Sequence, residues 1–192
     1  RVNGAQPRYV PAAIVDRSVG LAAVNAVTTA LFHRERTGQG QAVEVPMLET
    51  MVHTLFGEHL YGHAFEPPLA PPGYPRVLSP DRRPYATKDG YIGALVYTDK
   101  HWAAFLANID RRDLLSDARF KDMQSRAKNI DAVYGFLAEV LQTRTTEEWL
   151  DFFNNADIPA MAMRTLEGVL DDPHVNAVDF FRFEYHPSEG KV

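Results

Sequence analysis

Seven of the chain's 13 prolines fall within residues 66–84 (Pro67, Pro68, Pro71, Pro72, Pro75, Pro80 and Pro84). Proline fixes φ and has no N–H to donate, so this stretch can sustain neither a helix interior nor a central strand. It reads as an extended, semi-rigid linker. The chain thus divides into three zones, residues 1–65, 66–84 and 85–192, and no internal repeat is visible.

In the first zone, Val19 through Arg36 is an apolar segment of helical length with many small residues, among them Ala22, Ala23, Ala26 and Ala30. Apolar positions nearly all round predict a buried helix rather than a surface one. Its end is marked by Arg34 and Arg36, with Gly38 just beyond. Gln41 to Val45 then reads as a short strand, Val43 and Val45 on one face and Glu44 on the other. Met47 to about His63 is a second helix, with Leu48, Met51, Val52, Leu55, Phe56 and Leu60 at helical spacing. Helix, turn, strand and helix make a fragment of α/β layering.

The third zone opens on a hairpin signal. Lys88-Asp89-Gly90 separates two strand-like runs, and Asp-Gly suits the turns that hairpins use. Trp102, Phe105, Leu106 and Ile109 form a helical stripe, and another helix is predicted from about Lys121 to Gln142. Thr145-Thr146-Glu147-Glu148 has the form of a capping box ahead of Trp149, Leu150 and Phe153. Ile158 to Met163 reads as a strand. Asp172-Pro173 is an N-cap followed by proline at the first helical position. Residues 85–192 therefore read as a small α+β domain.

Composition narrows the function classes. With 192 residues, 45% of them hydrophobic and 23% charged, the chain can bury a core. A net charge of −5 argues against a nucleic-acid partner, which selects a basic surface. The absence of cysteine removes disulfides, thiolate nucleophiles and cysteine-held metals. No run approaches the roughly 20 apolar residues of a membrane helix, so the reading is no membrane, with the cytoplasm as default compartment. The chain opens on Arg1 without a recognisable targeting signal, which reads as a piece of a longer protein.

One residue stands out chemically. Asp16, in Ala13-Ile14-Val15-Asp16-Arg17-Ser18-Val19-Gly20, lies immediately ahead of the apolar helix. There a negative charge meets the positive end of the helix dipole. Its apolar neighbours predict partial burial, and Gly20 would leave room for a ligand. Such a carboxylate can serve as a covalent nucleophile or a base. The competing reading is that Asp16 or Ser18 simply caps the helix, the commoner role for such residues. His59 and His63 are four apart, as paired metal ligands can be, but no HExxH pattern or third ligand accompanies them, and no metal is expected. His101, His174 and His186 have no nameable partners. Arg82-Arg83 reads as a solvated turn. Thr37-Gly38-Gln39-Gly40-Gln41 lacks the spacing of a phosphate loop and reads as a C-cap turn.

Three stretches taken together carry a resemblance. Asp16-Arg17-Ser18-Val19-Gly20-Leu21 is followed by Ala30 through Val45, with its Arg34-Glu35-Arg36-Thr37-Gly38-Gln39-Gly40-Gln41 turn and Val43-Glu44-Val45 run, and then by Met47-Leu48-Glu49. In that order they resemble the family III CoA-transferases, the CaiB/BaiF group. The resemblance continues in Pro84 through Ile92, in Arg144-Thr145-Thr146-Glu147-Glu148-Trp149 and in Leu170-Asp171-Asp172-Pro173-His174-Val175. It spans nearly the whole chain.

The resemblance implies an α/β fold: part of a Rossmann-like large domain in residues 1–65, the proline-rich linker at 66–84, and a small α+β domain in residues 85–192. It implies that CoA moves between an acyl-CoA and a carboxylic acid, with the CoA thioester as substrate and no permanently bound cofactor. It places Asp16 on the family's catalytic aspartate, which reverses the cap reading. The carboxylate would attack the thioester to form a mixed anhydride and then an aspartyl-CoA thioester. An interlocked homodimer is implied too, and the proline-rich segment suits such threading. The CoA-binding residues are not named by the resemblance. A racemase subgroup uses the equivalent aspartate with a histidine to exchange a proton beside the thioester carbonyl; the Arg17-Ser18-Val19-Gly20-Leu21 run departs from its glycine-rich pattern. A third reading is an inactive dimerisation module. Tyr85, Tyr91 and Tyr97 are candidate pocket residues, with hairpin surface and core aromatics as the favoured alternative.

Overall fold

The computed structural model describes residues 9–192, so the first eight residues of the opening zone lie outside it. The chain divides into two compact units, one running to Pro80 and the other from Asp81 to Val192.

The first unit is helical in its described residues. Helix α1 spans Ile14–Thr37 and α2 spans Met47–His59, and the two pack on each other. Gly38 ends α1 as expected: it adopts a left-handed φ of 71° and its N–H donates to the Arg34 carbonyl at 2.8 Å. The burial expectation fails. Val19 is the buried residue of α1, while Leu21 is 74% exposed and Phe32 62%. The sequence is apolar all round, but α2 covers only part of that circumference. By length and composition alone α1 could also cross a membrane, which corrects the reading that no run approaches that size. Length and composition do not separate such a helix from an ordinary core helix.

Residues 41–45 form no ladder, contrary to the strand expected there. Alternation alone does not make a strand; it needs a hydrogen-bonded neighbour, and none is assigned to it among the described residues. Helix α2 stops at His59 because Tyr61 takes φ 42°, outside the right-handed region. A 3-10 turn follows at Tyr61–Ala64.

The proline-rich stretch does not run free. Leu69 N–H donates to the Gly62 carbonyl (3.0 Å) and Gly73 N–H to the His59 carbonyl (2.7 Å), folding it back on the end of α2. Gly62 is required there, since a Cβ would lie 2.6 Å from the Ala70 Cβ. A single helical turn, α3 at Pro75–Leu78, sits where no helix was expected. Proline is tolerated at its first position because that N–H has no intrahelical acceptor.

The second unit holds the main core. Strands β1 (Tyr85–Ala86), β2 (Tyr91–Ala94) and β3 (Ala160–Ala162) form an antiparallel sheet in that order, with Tyr85 opposite Ile92 and Ile92 opposite Ala162. The helices are α4 (Asp99–Asn108), α5 (Met123–Lys128), α6 (Ile130–Leu141) and α7 (Thr146–Asn155). Short α8 (Leu166–Leu170) and α9 (Pro173–Ala177) precede a hairpin of β4 (Tyr185–His186) and β5 (Gly190–Lys191). Ile92, Trp102, Phe105, Leu137, Leu141, Trp149 and Phe153 fill the core at 1% exposure or less. Each such side chain contributes on the order of 1.5–3 kcal/mol through burial. Trp149 stacks on Phe153 at 5.7 Å between centroids, and its indole N–H donates to the Leu141 carbonyl.

The capping box at Thr145 and Glu148 and the Asp172 cap form as expected. The single helix expected from Lys121 to Gln142 is broken in two at Asn129, whose amide donates to the Ser125 carbonyl at 2.8 Å. A short amide side chain competing for backbone groups explains the break. The hairpin forms too, but neither Asp89 nor Gly90 has a positive φ. Asp89 instead ties the turn to the start of α7, its carboxylate accepting from the backbone N–H and hydroxyl of Thr146.

Candidate active site

Asp16 sits at the third helical position of α1. The cap position is Ala13, which has no side-chain acceptor, so neither Asp16 nor Ser18 caps the helix. Asp16 is exposed, with Ile14 50% and Val15 37% exposed beside it, rather than partly buried. Apolar neighbours in sequence bury a carboxylate only if another element covers them, and none does among the described residues. One helical turn further along, Gly20 is exposed, and a Cβ there would meet nothing within 4 Å. The result is an accessible carboxylate at the positive end of a 24-residue helix, with open space on its own face. Such a group can approach an electrophilic carbonyl carbon without moving a side chain aside.

The other candidates separate from it. His59 and His63 do not share a helix face, because Tyr61 interrupts the helix between them. The His59 Nδ1 accepts from the Tyr74 N–H at 3.2 Å, so this ring secures the fold-back of the proline-rich stretch. Among the described residues no group of three or more His, Asp or Glu could hold a metal. Arg83 pairs with Asp81 at 3.1 Å in an exposed turn. Tyr85 is a core residue at 5% exposure, whereas Tyr91 and Tyr97 lie at the surface, so the three do not converge on one pocket.

The displaced carboxyl pKa values belong to structural sites in the second unit. The Thr146 backbone N–H, and then its hydroxyl, hold Asp89 below the usual carboxylate range. Hydrogen bonding from Arg119 holds Asp117 at about 2. Glu148 and Asp122 are lowered by the helix-start N–H groups of Thr145 and Ser125. Sequence reading missed a cleft of about 370 Å³ lined by Arg111, Arg119, Phe120, Phe136 and Glu139, among others. Its two arginines are fully engaged at one edge, each with the aspartate two residues away (Asp113 and Asp117). The Arg-x-Asp and Asp-x-Arg spacings were the available signal. Also missed was Arg126, 4% exposed, which donates to the Phe120 carbonyl, pairs with Asp99 and lies over the Trp102 ring.

Comparison with known proteins extends over the whole described chain. The profile of CoA-transferase family III matches residues 2–192. The probable fatty acyl-CoA transferase Rv3272 of Mycobacterium tuberculosis is 30% identical over 179 residues, covering 88% of this chain and 45% of that protein. The (R)-2-hydroxy-4-methylpentanoate CoA-transferase of Clostridioides difficile is 29% identical over 183 residues, covering 93% and 45%. A crystal structure of Rv3272 superposes with a TM-score of 0.77 at 26% identity, over 100% of this chain and 51% of that one. A CaiB/BaiF family protein from Brucella suis, 21% identical, shares the fold at a TM-score of 0.65 over 98% of this chain and 52% of its own. The chain thus spans about half the length of the curated relatives and solved structures it matches.

Proposed function

The chain belongs to CoA-transferase family III, and on that premise we propose that the protein moves CoA between an acyl-CoA thioester and a carboxylic acid, with Asp16 as covalent nucleophile. The observation that carries this reading is the placement of Asp16: exposed, free of any capping duty, and set in a segment that the family profile covers. The names of the relatives supply the substrate class, a CoA thioester as donor and an organic acid as acceptor.

The chemistry closes without an external energy source. A carboxylate oxygen of Asp16 attacks the thioester carbon; the C–S bond breaks and CoA leaves as thiolate, giving a mixed anhydride. The thiolate attacks the aspartyl carbonyl, releasing the donor acid and forming an aspartyl-CoA thioester. The acceptor carboxylate then attacks this thioester, giving a new mixed anhydride and thiolate. Attack of the thiolate on the acceptor's acyl carbon yields the new acyl-CoA and regenerates Asp16. The first unit would form part of a Rossmann-like large domain and the second the small domain. Exposed apolar residues on α1 support an interlocked homodimer in which further protein covers them.

The test is intact-mass analysis of the full protein incubated with a panel of acyl-CoA thioesters and hydroxylamine, followed by peptide mapping. A hydroxamate on Asp16 is expected with at least one donor. No tag with any donor, together with deuterium incorporation at the α-carbon of the acyl group, would move the assignment to proton transfer of the racemase kind.

A further inference from the structure

Five of the described glycines have a local reason to be glycine. Gly38, Gly73 and Gly190 have positive φ, and a Cβ at Gly62 would strike Ala70. A Cβ at Gly90 would press on the Thr146 hydroxyl at 3.3 Å. Gly20 has no such reason. It lies inside α1 with ordinary helical φ, and a Cβ there would meet nothing within 4 Å. Helix interiors disfavour glycine relative to alanine because of the backbone entropy it loses on ordering. The same helix uses alanine at four nearby positions, Ala22, Ala23, Ala26 and Ala30. Neither backbone conformation nor packing within the unit accounts for the exception.

Its position does. Gly20 follows Asp16 by four residues, so the two lie one above the other on the same face, about 6 Å apart along the axis. A reacting thioester carbon has to come within roughly 3–3.5 Å of the carboxylate oxygen. The group attached to that carbon must then lie against the surface next to Asp16. We propose that Gly20 is the clearance position of the active site: the side chain it lacks is the space taken by the donor's acyl group, and Gly20 therefore sets how bulky that group can be. The proposal rests on the reading of Asp16 as nucleophile. Gly57 of α2 is also exposed and open, but it is on another helix. It therefore serves as the control glycine-to-alanine change, on a helix that does not carry Asp16.

The experiment compares wild type, Gly20→Ala and Gly57→Ala in the full protein. It reads thermal unfolding and the rate at which hydroxylamine traps the acyl-aspartyl adduct, using acetyl-CoA, isobutyryl-CoA and benzoyl-CoA. Gly20→Ala is expected to raise the melting temperature by ~2–4 °C, as Gly57→Ala does, through helix propensity. The ratio of branched or aromatic to acetyl trapping rates should fall at least tenfold in Gly20→Ala and stay at the wild-type ratio in Gly57→Ala. Two results would overturn the proposal: an unchanged ratio in Gly20→Ala, or a drop in its melting temperature below wild type, which would mean that protein rather than substrate fills the space. Failure of the nucleophile reading shows separately, as the absence of an Asp16 adduct in the wild type with every donor, and it removes the clearance role with it.

Discussion

Asp16 stabilises α1 only weakly, through its charge at the positive end of the helix: the cap is Ala13, and the carboxylate is exposed in the first turn. Asp16→Asn should therefore abolish CoA transfer while shifting CoA affinity by less than about tenfold, because only the covalent step is lost. Its melting temperature should stay within ~2 °C of wild type, surface changes away from caps and cores being nearly neutral. Substantial turnover in this variant would end the nucleophile assignment. Arg126 is the opposite case, a charged residue whose work is structural. Its guanidinium lies over Trp102, bonds the Phe120 carbonyl and pairs with the exposed carboxylate of Asp99. Arg126→Ala leaves a cavity beside the indole and an orphaned carbonyl, and should cost about 2 kcal/mol in denaturant unfolding. Asp99 remains hydrated, so the larger penalty of a stranded buried charge does not arise.

Among elements, the ends of helices carry the sharpest expectations. Gly38 closes α1 at φ 71°, a conformation that a β-branched residue adopts only with strain. Gly38→Val should lower stability by about 1 kcal/mol or more, visible as a reduced melting temperature. Acid should act chiefly on the second unit. Asp117 falls from an ordinary 3.8 to about 2 through Arg119, and Asp89, Asp122 and Glu148 are lowered by donors at turns and helix starts. Depressed carboxyl values mean that the folded state holds its charge where the unfolded chain would bind protons. Their stabilisation is complete above the unfolded values and is lost as pH falls through the folded ones. The melting temperature should thus be level from pH 7 to about 5 and drop steeply between about 4 and 2. Asp117→Asn should shallow that drop; an unaltered pH profile would remove the Arg119 pairing as its cause.

For the whole molecule, the two units differ in how far they satisfy themselves. The second encloses a continuous aromatic and aliphatic core, from Tyr85 and Ile92 to Trp149 and Phe153. The first leaves Leu21, Val24, Val27, Leu31 and Phe32 of α1 open. An apolar surface of that extent marks a place where further protein packs. The interlocked dimer proposed above predicts that the full protein runs as a dimer by light scattering and keeps that mass on dilution to nanomolar concentration, since threaded chains would separate only by unfolding. Recovery of monomer on dilution would exclude an interlocked arrangement.

Local chemistry was legible wherever a few neighbouring residues decide the outcome. Gly38 as a helix stop, Thr145 with Glu148 as a capping box, and Asp172-Pro173 as a helix start each depend on bonds within one turn of chain. The ordered motif from Asp16 through Met47-Leu48-Glu49 was legible for another reason: it carries the family's pattern in residue types and spacing. Burial was not legible. Apolar residues record that a surface prefers to leave water, not which element will cover it, so α1 read as buried and stands exposed. The run at 41–45 failed likewise, because a strand is defined by a neighbour distant in sequence. The structure also turned the proline-rich stretch back on α2 through the His59 and Gly62 carbonyls, and it gave Asp89 to Thr146 as well as to Thr87 of its own turn. These bonds link residues as many as 57 positions apart, and only the folded chain brings such groups within reach.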